Sequence, residues 1–225
     1  MNAALSIVMP VLDEAERLAQ ALAALAPLRA AGVEVIVVDG GSRDGTSERC
    51  AGLADAVLAA PRGRARQMNA GARAARGEAL LFLHADTTLP PGAPALIASA
   101  LQDHAWGRFD VRIEGHARVL PLVAALMNAR SRFTGIATGD QAIFMRRAAF
   151  DAVGGFPDQP LMEDIEISRR LRARCGAPAC LRERVVTSGR RWDERGAFRT
   201  IALMWRLRLL YWLGVPAERL AAAYR

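Results

Sequence analysis

Residues 80–88, Leu80-Leu81-Phe82-Leu83-His84-Ala85-Asp86-Thr87-Thr88, decide how the rest of the chain is read. Four apolar side chains in a row, stopped by polar ones, are the pattern of a central parallel strand covered by helices on both faces. Open α/β sheets bind ligands outside the carboxyl ends of such strands, which sets His84 and Asp86 in a crevice. A period of two continued past Leu83 points both side chains to one side, with the small Ala85 between them leaving room for a ligand. The alternative is that Asp86 only caps the following turn.

Upstream, two more apolar runs end in the same way. Leu5–Val11 (LSIVMPV) predicts a first buried strand. Asp13 and Glu16 then have the spacing of a capping box, and Leu18, Leu22 and Leu25 repeat at helical spacing to about Leu28. Glu34–Asp39 (EVIVVD) predicts a second strand, followed by a loop with Gly40, Gly41 and Gly45 that lets the backbone approach a ligand closely. The dinucleotide fingerprint is excluded, because G-x-G-x-x-G would need glycine where Ser42 stands. Asp39 either grips a base or ribose or orders its own turn. Val57 and Leu58 allow a short third strand. After Pro61, the residues Arg62, Arg64 and Arg66 crowd the start of a helix that ends near Gly77. Cations there oppose the helix dipole unless an anion sits among them, so the run marks either a phosphate site or a solvated basic face.

Downstream, Pro90–Leu101 predicts a loop and helix. Gly107–Glu114 alternates Phe109, Val111 and Ile113 with Arg108, Asp110 and Arg112, the pattern of a half-exposed strand with an antiparallel partner. Arg118–Phe133 reads as an apolar helix and Gly135–Met145 (GIATGDQAIFM) as strand with a turn at Gly139-Asp140-Gln141. Phe150–Phe156 suggests a helix closed by Gly154 and Gly155. Glu163 and Asp164 open a helix with Ile165, Ile167 and Leu171 as its apolar positions; acids in a first turn also suit the dipole without any other role. Phe198–Leu213 is a helix carrying Trp205, Tyr211 and Trp212, apolar on most faces. It is open to two readings, a membrane surface contact or packing on the domain or a dimer partner.

The chain has 225 residues, 52% of them hydrophobic, enough for one large domain. Its formal charge is +7 and every basic residue is arginine. Arginine grips phosphates through two parallel hydrogen bonds and lies well at an anionic lipid surface, so the balance points to phosphorylated ligands or membrane. Nucleic acid is disfavoured, since the arginines alternate with acids rather than forming a block interleaved with aromatics. Three unpaired-looking cysteines fit a reducing cytosol, and no run of about 18 uncharged apolar residues is present to span a bilayer. The first apolar run is too short for a secretory signal and meets Asp13 and Glu14 at once.

The succession SIVMPVLDEAERL, EVIVVDGGSRDGT, GRARQMNAGARAARGE, LLFLHADTTL, GGF and LMEDIEISRRL resembles the family 2 glycosyltransferases of GT-A fold, and among them a small bacterial subgroup of single-domain members. The resemblance runs from residue 5 to about 192. It implies an α/β fold, the GT-A nucleotide-diphospho-sugar transferase fold, with a mixed, mostly parallel sheet flanked by helices and C-terminal helices beyond it. Residues 1–225 then form one domain, with a nucleotide-sugar half (1–105), an acceptor half (106–196) and a helical extension (197–225). The implied activity is inverting transfer of a sugar from a nucleoside diphosphate, UDP in the first instance, to an acceptor hydroxyl, lipid-linked acceptors included.

Position by position, the resemblance makes Asp39 the contact to the base and Asp86 the last residue of the DxD motif, ligating a divalent cation, Mg or Mn. His84 replaces that motif's first acid, so either His84 ligates through nitrogen or Asp86 works alone. Asp164 matches the base that deprotonates the acceptor, and Glu163 would orient the acceptor or Asp164. Arg191 and Trp192 match an RW pair whose arginine reaches the leaving diphosphate. Pro10, Gly41, Arg66, Asn69, Ala85, Gly139, Asp140 and Gln141 complete the implied substrate and nucleotide contacts. The expected location is cytoplasmic, with peripheral contact to the inner membrane face through 197–213 and a homodimer as further options. The competing functions are a nucleotidyltransferase, which would carry a glycine-rich Arg/Lys loop where Pro10-Val11-Leu12-Asp13 stands, and a non-catalytic nucleotide-sugar-binding or membrane-associated protein, which His84 in place of an acid favours.

Overall fold

The computed structural model of the chain describes residues 4–224. The amino-terminal half runs β1 (Leu5–Val11), α1 (Ala15–Ala30), β2 (Glu34–Asp39), the single turn α2 (Thr46–Arg49), β3 (Ala56–Ala59), α3 (Arg64–Ala74), β4 (Ala79–Phe82), the two-residue β5 (Thr87–Thr88) and α4 (Ala93–Asp103). There follow β6 (Trp106–Glu114), α5 (Leu120–Thr134), a 3-10 turn at Gly139–Gln141, β7 (Phe144–Arg146), α6 (Arg147–Ala152), α7 (Glu163–Cys175) and β8 (Ala179–Ser188). Three helices end the chain: α8 (Arg190–Arg195), α9 (Ala197–Trp212) and α10 (Ala217–Tyr224).

Among the described residues eight strands join one sheet in the order β3-β2-β1-β4-β7-β6-β8-β5. β1, β2, β3 and β4 pair in parallel; β7 is antiparallel to both β4 and β6, and β6 runs parallel to β8. The carboxyl ends of β1, β2, β4, β6 and β8 therefore lie along one edge, together with the amino end of β7. Ligands of open α/β sheets bind at such an edge, and the reversal of strand order beside β1 opens a crevice there.

Strand pleating distributes the core onto two faces. Ile7, Met9 and Val11 of β1 face Leu18, Leu22 and Leu25 of α1, in a core that continues through α4 and α5; Val8 faces the other way, where Met68 and Ala72 of α3 meet Ile167 and Leu171 of α7. At Gly71, α3 lies so close to the sheet that an added Cβ would stand 2.4 Å from Val8 Cγ1 and 2.9 Å from Val38 Cγ2. Gly71→Ala is accordingly expected to destabilise the protein. Overpacking costs about 1–3 kcal/mol, against a helix-propensity gain of at most about 1 kcal/mol. The melting temperature should fall by roughly 2–4 °C per kcal/mol lost.

Several local expectations change. The Asp13/Glu16 capping box is not formed: Asp13 takes φ 53°, and its carboxylate accepts from the Arg43 backbone N–H at 2.9 Å. The first N–H groups of α1 are capped from the glycine loop instead, Glu14 N–H donating to Thr46 Oγ1 (3.0 Å) and Ala15 N–H to Asp44 Oδ2 (3.0 Å). β4 ends at Phe82, and His84–Thr87 is a turn closed by the Thr87 N–H to the His84 carbonyl (3.1 Å), so the pleat does not align His84 with Asp86. β6 has its antiparallel partner in β7, but most of its length lies parallel to β8 and is buried on both faces. Arg108 is fully buried, held by Asp110 Oδ1, Ser131 Oγ (3.0 Å) and the Asn128 carbonyl (3.2 Å), while Arg132 reaches Asp110 Oδ2 at 2.6 Å. Self-pairing lets the charged positions of the alternating pattern go inside.

The C-terminal helices pack on the domain along one side. One side of α9, through Leu203, Met204, Leu207 and Leu210, packs with Leu220 of α10 against Leu161, Met162 and Ile165 at the start of α7. Phe198, Trp205, Leu209 and Trp212 on the other side are exposed. Among the described residues no helix is long and apolar enough to cross a membrane.

Candidate active site

The cleft at the carboxyl edge of the sheet gathers segments that are far apart in sequence. Arg64 at the start of α3, His84 after β4, Gly139 of the 3-10 turn, and Glu163 and Asp164 at the start of α7 line one depression, with Met68, Phe82, Ile143 and Phe156 as its apolar floor. Among the described residues three non-glycine residues have positive φ: Asp13 (53°), Ala142 (48°) and Met162 (65°). Each adjoins a segment at this edge, after β1, after the 3-10 turn and before Glu163. Such conformations cost about 1–3 kcal/mol each and persist where the surroundings over-determine them.

Asp164 is the best-positioned carboxylate. Its Oδ2 accepts from the Gly139 N–H at 3.0 Å and its Oδ1 from its neighbour Ile165 N–H at 2.8 Å, so two backbone donors fix its direction. Glu163 beside it is buried, with Arg64 Nη1 at 3.4 Å from Oε1. Burial pushes the Glu163 carboxyl above its usual pKa and the Asp164 charge adds to this, opposed by Arg64 and His84. Partial burial works against the Arg64 charge, but Glu163, Asp140, Asp164 and Asp86 more than offset it, raising its pKa. One arginine thus faces four carboxylates.

His84 Nδ1 lies 3.3 Å from Asp140 Oδ1. Its ring also lies against Gly139, where an added Cβ would come within 2.6 Å of Cε1. Burial opposes ionisation of Asp140, yet the His84 hydrogen bond and charge, with Arg64 and Arg191, hold its pKa below the usual value. Asp86 is exposed, with Thr87 Oγ1 at 3.3 Å, and borders a groove between α1 and residues 85–92 that Ser188 also lines. It also faces Glu14, whose pKa is raised by burial first and by the Asp86 charge, despite Arg17 and Arg190. Glu14 was not singled out by the sequence.

The remaining implied contacts separate into cleft and framework. Asp39 is buried, its Oδ1 accepting from the Ser42 N–H (3.0 Å) and Oγ (2.5 Å) and its Oδ2 from Ser47 Oγ (2.6 Å). It orders the glycine loop, in which Gly41 takes φ 90°. Gln141 is fully buried, capping the 3-10 turn through Thr138 and donating to Asn128 Oδ1 at 3.3 Å. Asn69 clasps the backbone of Phe156 in both directions, at 2.8 and 2.9 Å. Arg66 points to Asp158 (2.7 Å), so the arginine of that run in the cleft is Arg64, two residues earlier. Pro10 lies near the end of β1 and Ala85 is buried behind the turn. Arg191 lies over the Tyr224 ring, 4.9 Å from its centroid, and Trp192 packs against the main core. That contact ties α10 to the arginine, a link with no signature in the sequence.

Burial opposes the Asp39 charge, but its Ser42 and Ser47 hydrogen bonds outweigh it and depress the pKa below 3.8. A depressed carboxylate contributes stability above the unfolded pKa and loses it as pH falls through the folded one. Asp39→Asn should therefore destabilise the protein at neutral pH. The difference should close as pH falls below about 3.8; urea unfolding at stepped pH checks both the sign and the window.

The family model of glycosyl transferase family 2 matches residues 6–153. Among curated proteins none matches. Solved structures of similar fold include the mannosyltransferase PcManGT from Pyrobaculum calidifontis in complex with GDP-Man and Mn2+, 23% identical with a TM-score of 0.67, covering 92% of this chain and 61% of that one. Glucosyl-3-phosphoglycerate synthase from Mycobacterium tuberculosis in complex with Mn2+, UDP and glucosyl-3-phosphoglycerate is 22% identical, with a TM-score of 0.66 and coverages of 94% and 80%. S. aureus TarS 1-349 in complex with UDP-GlcNAc is 17% identical, TM-score 0.63, with coverages of 82% and 58%, so the present chain spans less than two thirds of its length. At these identities the likeness is one of fold, the GT-A fold of glycosyltransferases. The match to the family model takes in β1 through α6, including the glycine loop and the His84–Asp86 turn, and on that match the chain belongs to glycosyl transferase family 2.

Proposed function

We propose that the chain transfers a glycosyl group from a nucleoside diphosphate sugar to an acceptor hydroxyl, with inversion at the anomeric carbon. The observation that carries this reading is Asp164, aimed by the Gly139 and Ile165 N–H groups in a cleft shared with Glu163, Arg64 and His84. The acceptor oxygen attacks the anomeric carbon while its proton passes to Asp164, and the bond to the diphosphate breaks on the opposite side. A general base in reach typically contributes about 10²- to 10⁴-fold. Arg64, and Arg191 as the family resemblance implies, would meet the charge that develops on the leaving diphosphate. Glu163, buried and salt-bridged to Arg64, holds the two sides of the cleft in register.

A divalent cation fits this donor set in one way. Among the described residues no three His, Cys, Asp or Glu side chains converge as a metal cage. The His84 nitrogen nearest a carboxylate is already engaged by Asp140. Asp86 is exposed and offers a hard oxygen, the donor that Mg or Mn takes when most of its remaining ligands are phosphate oxygens and water. Asp86 would hold the ion, which when bound neutralises diphosphate charge. UDP is the favoured nucleotide and GDP the alternative; the similar structures hold UDP-GlcNAc, GDP-Man with Mn2+, and UDP with Mn2+. The halves 1–105 and 106–196 serve donor and acceptor, and the exposed stripe of α9 supports peripheral contact of 197–213 with a cytoplasmic membrane face.

Thermal unfolding with UDP or GDP, each with and without Mn2+, tests the donor site. Binding at about 100 times Kd adds roughly 2.7 kcal/mol. The stabilisation should require the metal and vanish in Asp86→Ala; absence of any shift with both nucleotides rejects the reading.

A further inference from the structure

Near Asp164 one guanidinium is left partly without hydrogen bonds among the described residues. Nε and Nη2 of Arg130, on α5, are buried and make no hydrogen bond. Arg208 on α9 and Arg108 on β6 repel this guanidinium, and Asp164 is the acid that attracts it. Burial, then Arg208, brings its pKa down to about 10. Asp164 makes no hydrogen bond to Nε or Nη2 of Arg130. Its oxygens accept instead from the Gly139 and Ile165 N–H groups. Buried charges in proteins are paired or neutralised, so a guanidinium left in this state is a standing cost.

The flanking positions add a second kind of evidence. Along α5, Arg130 lies four residues after Leu126 and three before Phe133, which is 92% exposed. Along α9, Arg208 lies three residues after Trp205 and four before Trp212, which is 80% exposed. At those spacings each arginine shares a helix surface with large apolar side chains left in solvent. Arg130 near the candidate base, with Arg208 near Arg130 and apolar stripes along both helices, matches a ligand with an anionic group at the end of an apolar chain.

We propose that Arg130 and Arg208 form an anion-binding subsite beside Asp164 that takes a phosphate group of the acceptor, the acceptor's apolar chain lying along the stripes of α5 and α9. The Nε–Nη2 edge of a guanidinium presents two parallel donors, the geometry that phosphate oxygens accept. The proposal rests on the glycosyl-transfer reading and names its acceptor class as a lipid phosphate. Arg130 and Arg208 are positioning residues in it, and Asp164 remains the base.

The test uses the full chain and two probes, inorganic phosphate by calorimetry and phosphatidylcholine vesicles with or without phosphatidic acid by flotation. Wild type and Arg64→Gln should both bind phosphate; Arg130→Gln and Arg208→Gln should lose at least about tenfold in affinity. Wild type should float with the phosphatidic acid vesicles and not with phosphatidylcholine alone, and Arg130→Gln should float with neither. Arg130→Met, which removes two buried nitrogens without hydrogen bonds, should melt higher than wild type. Phosphate binding unchanged in Arg130→Gln, or lost only in Arg64→Gln, overturns the subsite. Phosphate binding without vesicle binding points to a soluble phosphorylated acceptor and overturns the lipid assignment, as does equal flotation with both vesicles. Should Arg130→Gln fail to fold, the half-buried Arg208→Gln decides alone. UDP and GDP stabilisation should be unchanged in both variants; its absence in wild type would reject the donor reading while the phosphate result stood.

Discussion

Asp164→Asn is expected to remove nearly all glycosyl transfer, by roughly 10²- to 10⁴-fold in kcat, while metal-dependent stabilisation by nucleotide stays at the wild-type level. The amide keeps the volume of the carboxylate and one oxygen for the Gly139 N–H, but it cannot accept the acceptor proton. Its NH2 group would then face the Ile165 N–H, a local cost that is small beside the loss of the base. Turnover and nucleotide stabilisation measured on the same preparation separate chemistry from binding. Wild-type turnover in the variant would remove Asp164 from the role of base, and parallel loss of turnover and nucleotide binding would make it a structural residue of the cleft.

Asp110→Ala is expected to have the largest effect on stability. It strips the fully buried Arg108 of its carboxylate and releases Arg132 as well. Removing one partner of a buried pair costs about 3–5 kcal/mol, because the remaining charge stays in a medium that solvates it poorly. For a chain of this length that is a fall of roughly 10 °C in melting temperature. The double variant Arg108→Met with Asp110→Leu, which removes both charges and keeps volume, should recover most of the loss. A single variant as stable as wild type would mean that Ser131 and the Asn128 carbonyl suffice to hold Arg108.

The parts of the fold that were legible in the sequence are those where the side chains alone decide the environment. β1 and β2 are mostly apolar runs buried on both faces, and their limits match the structure at both ends. β8 was not foreseen, because Arg182, Glu183 and Arg184 break its apolar pattern in the middle, at exposed positions next to the register shift between Phe109 and Asp110. Arg108 and Asp110 looked solvent-facing because alternation records polarity and cannot record that two polar groups satisfy each other across one strand. At the site, Glu163 and Asp164 were legible as acids at a helix start, while the roles proposed for them come from the family resemblance. Which of Arg62, Arg64 and Arg66 enters the cleft depends on the rotational phase of α3, and the acids that sort them, Glu163 and Asp158, lie 99 and 92 residues further along than Arg64 and Arg66. Arg130 gave no local signal: the burial of two of its nitrogens without hydrogen bonds exists only once α5, α9 and α7 are brought together.

The pairing of β5 with β8 has a kinetic consequence. Thr87 aligns with Thr187 and Thr88 with Val186, and these two rungs join the turn that carries Asp86 to the strand that leads into Arg191. The closure spans 100 residues and makes few contacts in return, whereas β1, β2, β3 and β4 meet through short βα connections. Loop-closure entropy delays contacts between residues distant in the chain. During folding the amino-terminal half is expected to consolidate first, and the cleft to be completed only when β8 docks. A chain emerging from the ribosome would hold Asp39 and Asp86 in place well before Asp164 and Arg191 join them, so the proposed donor contacts would be set before the proposed base is brought to them.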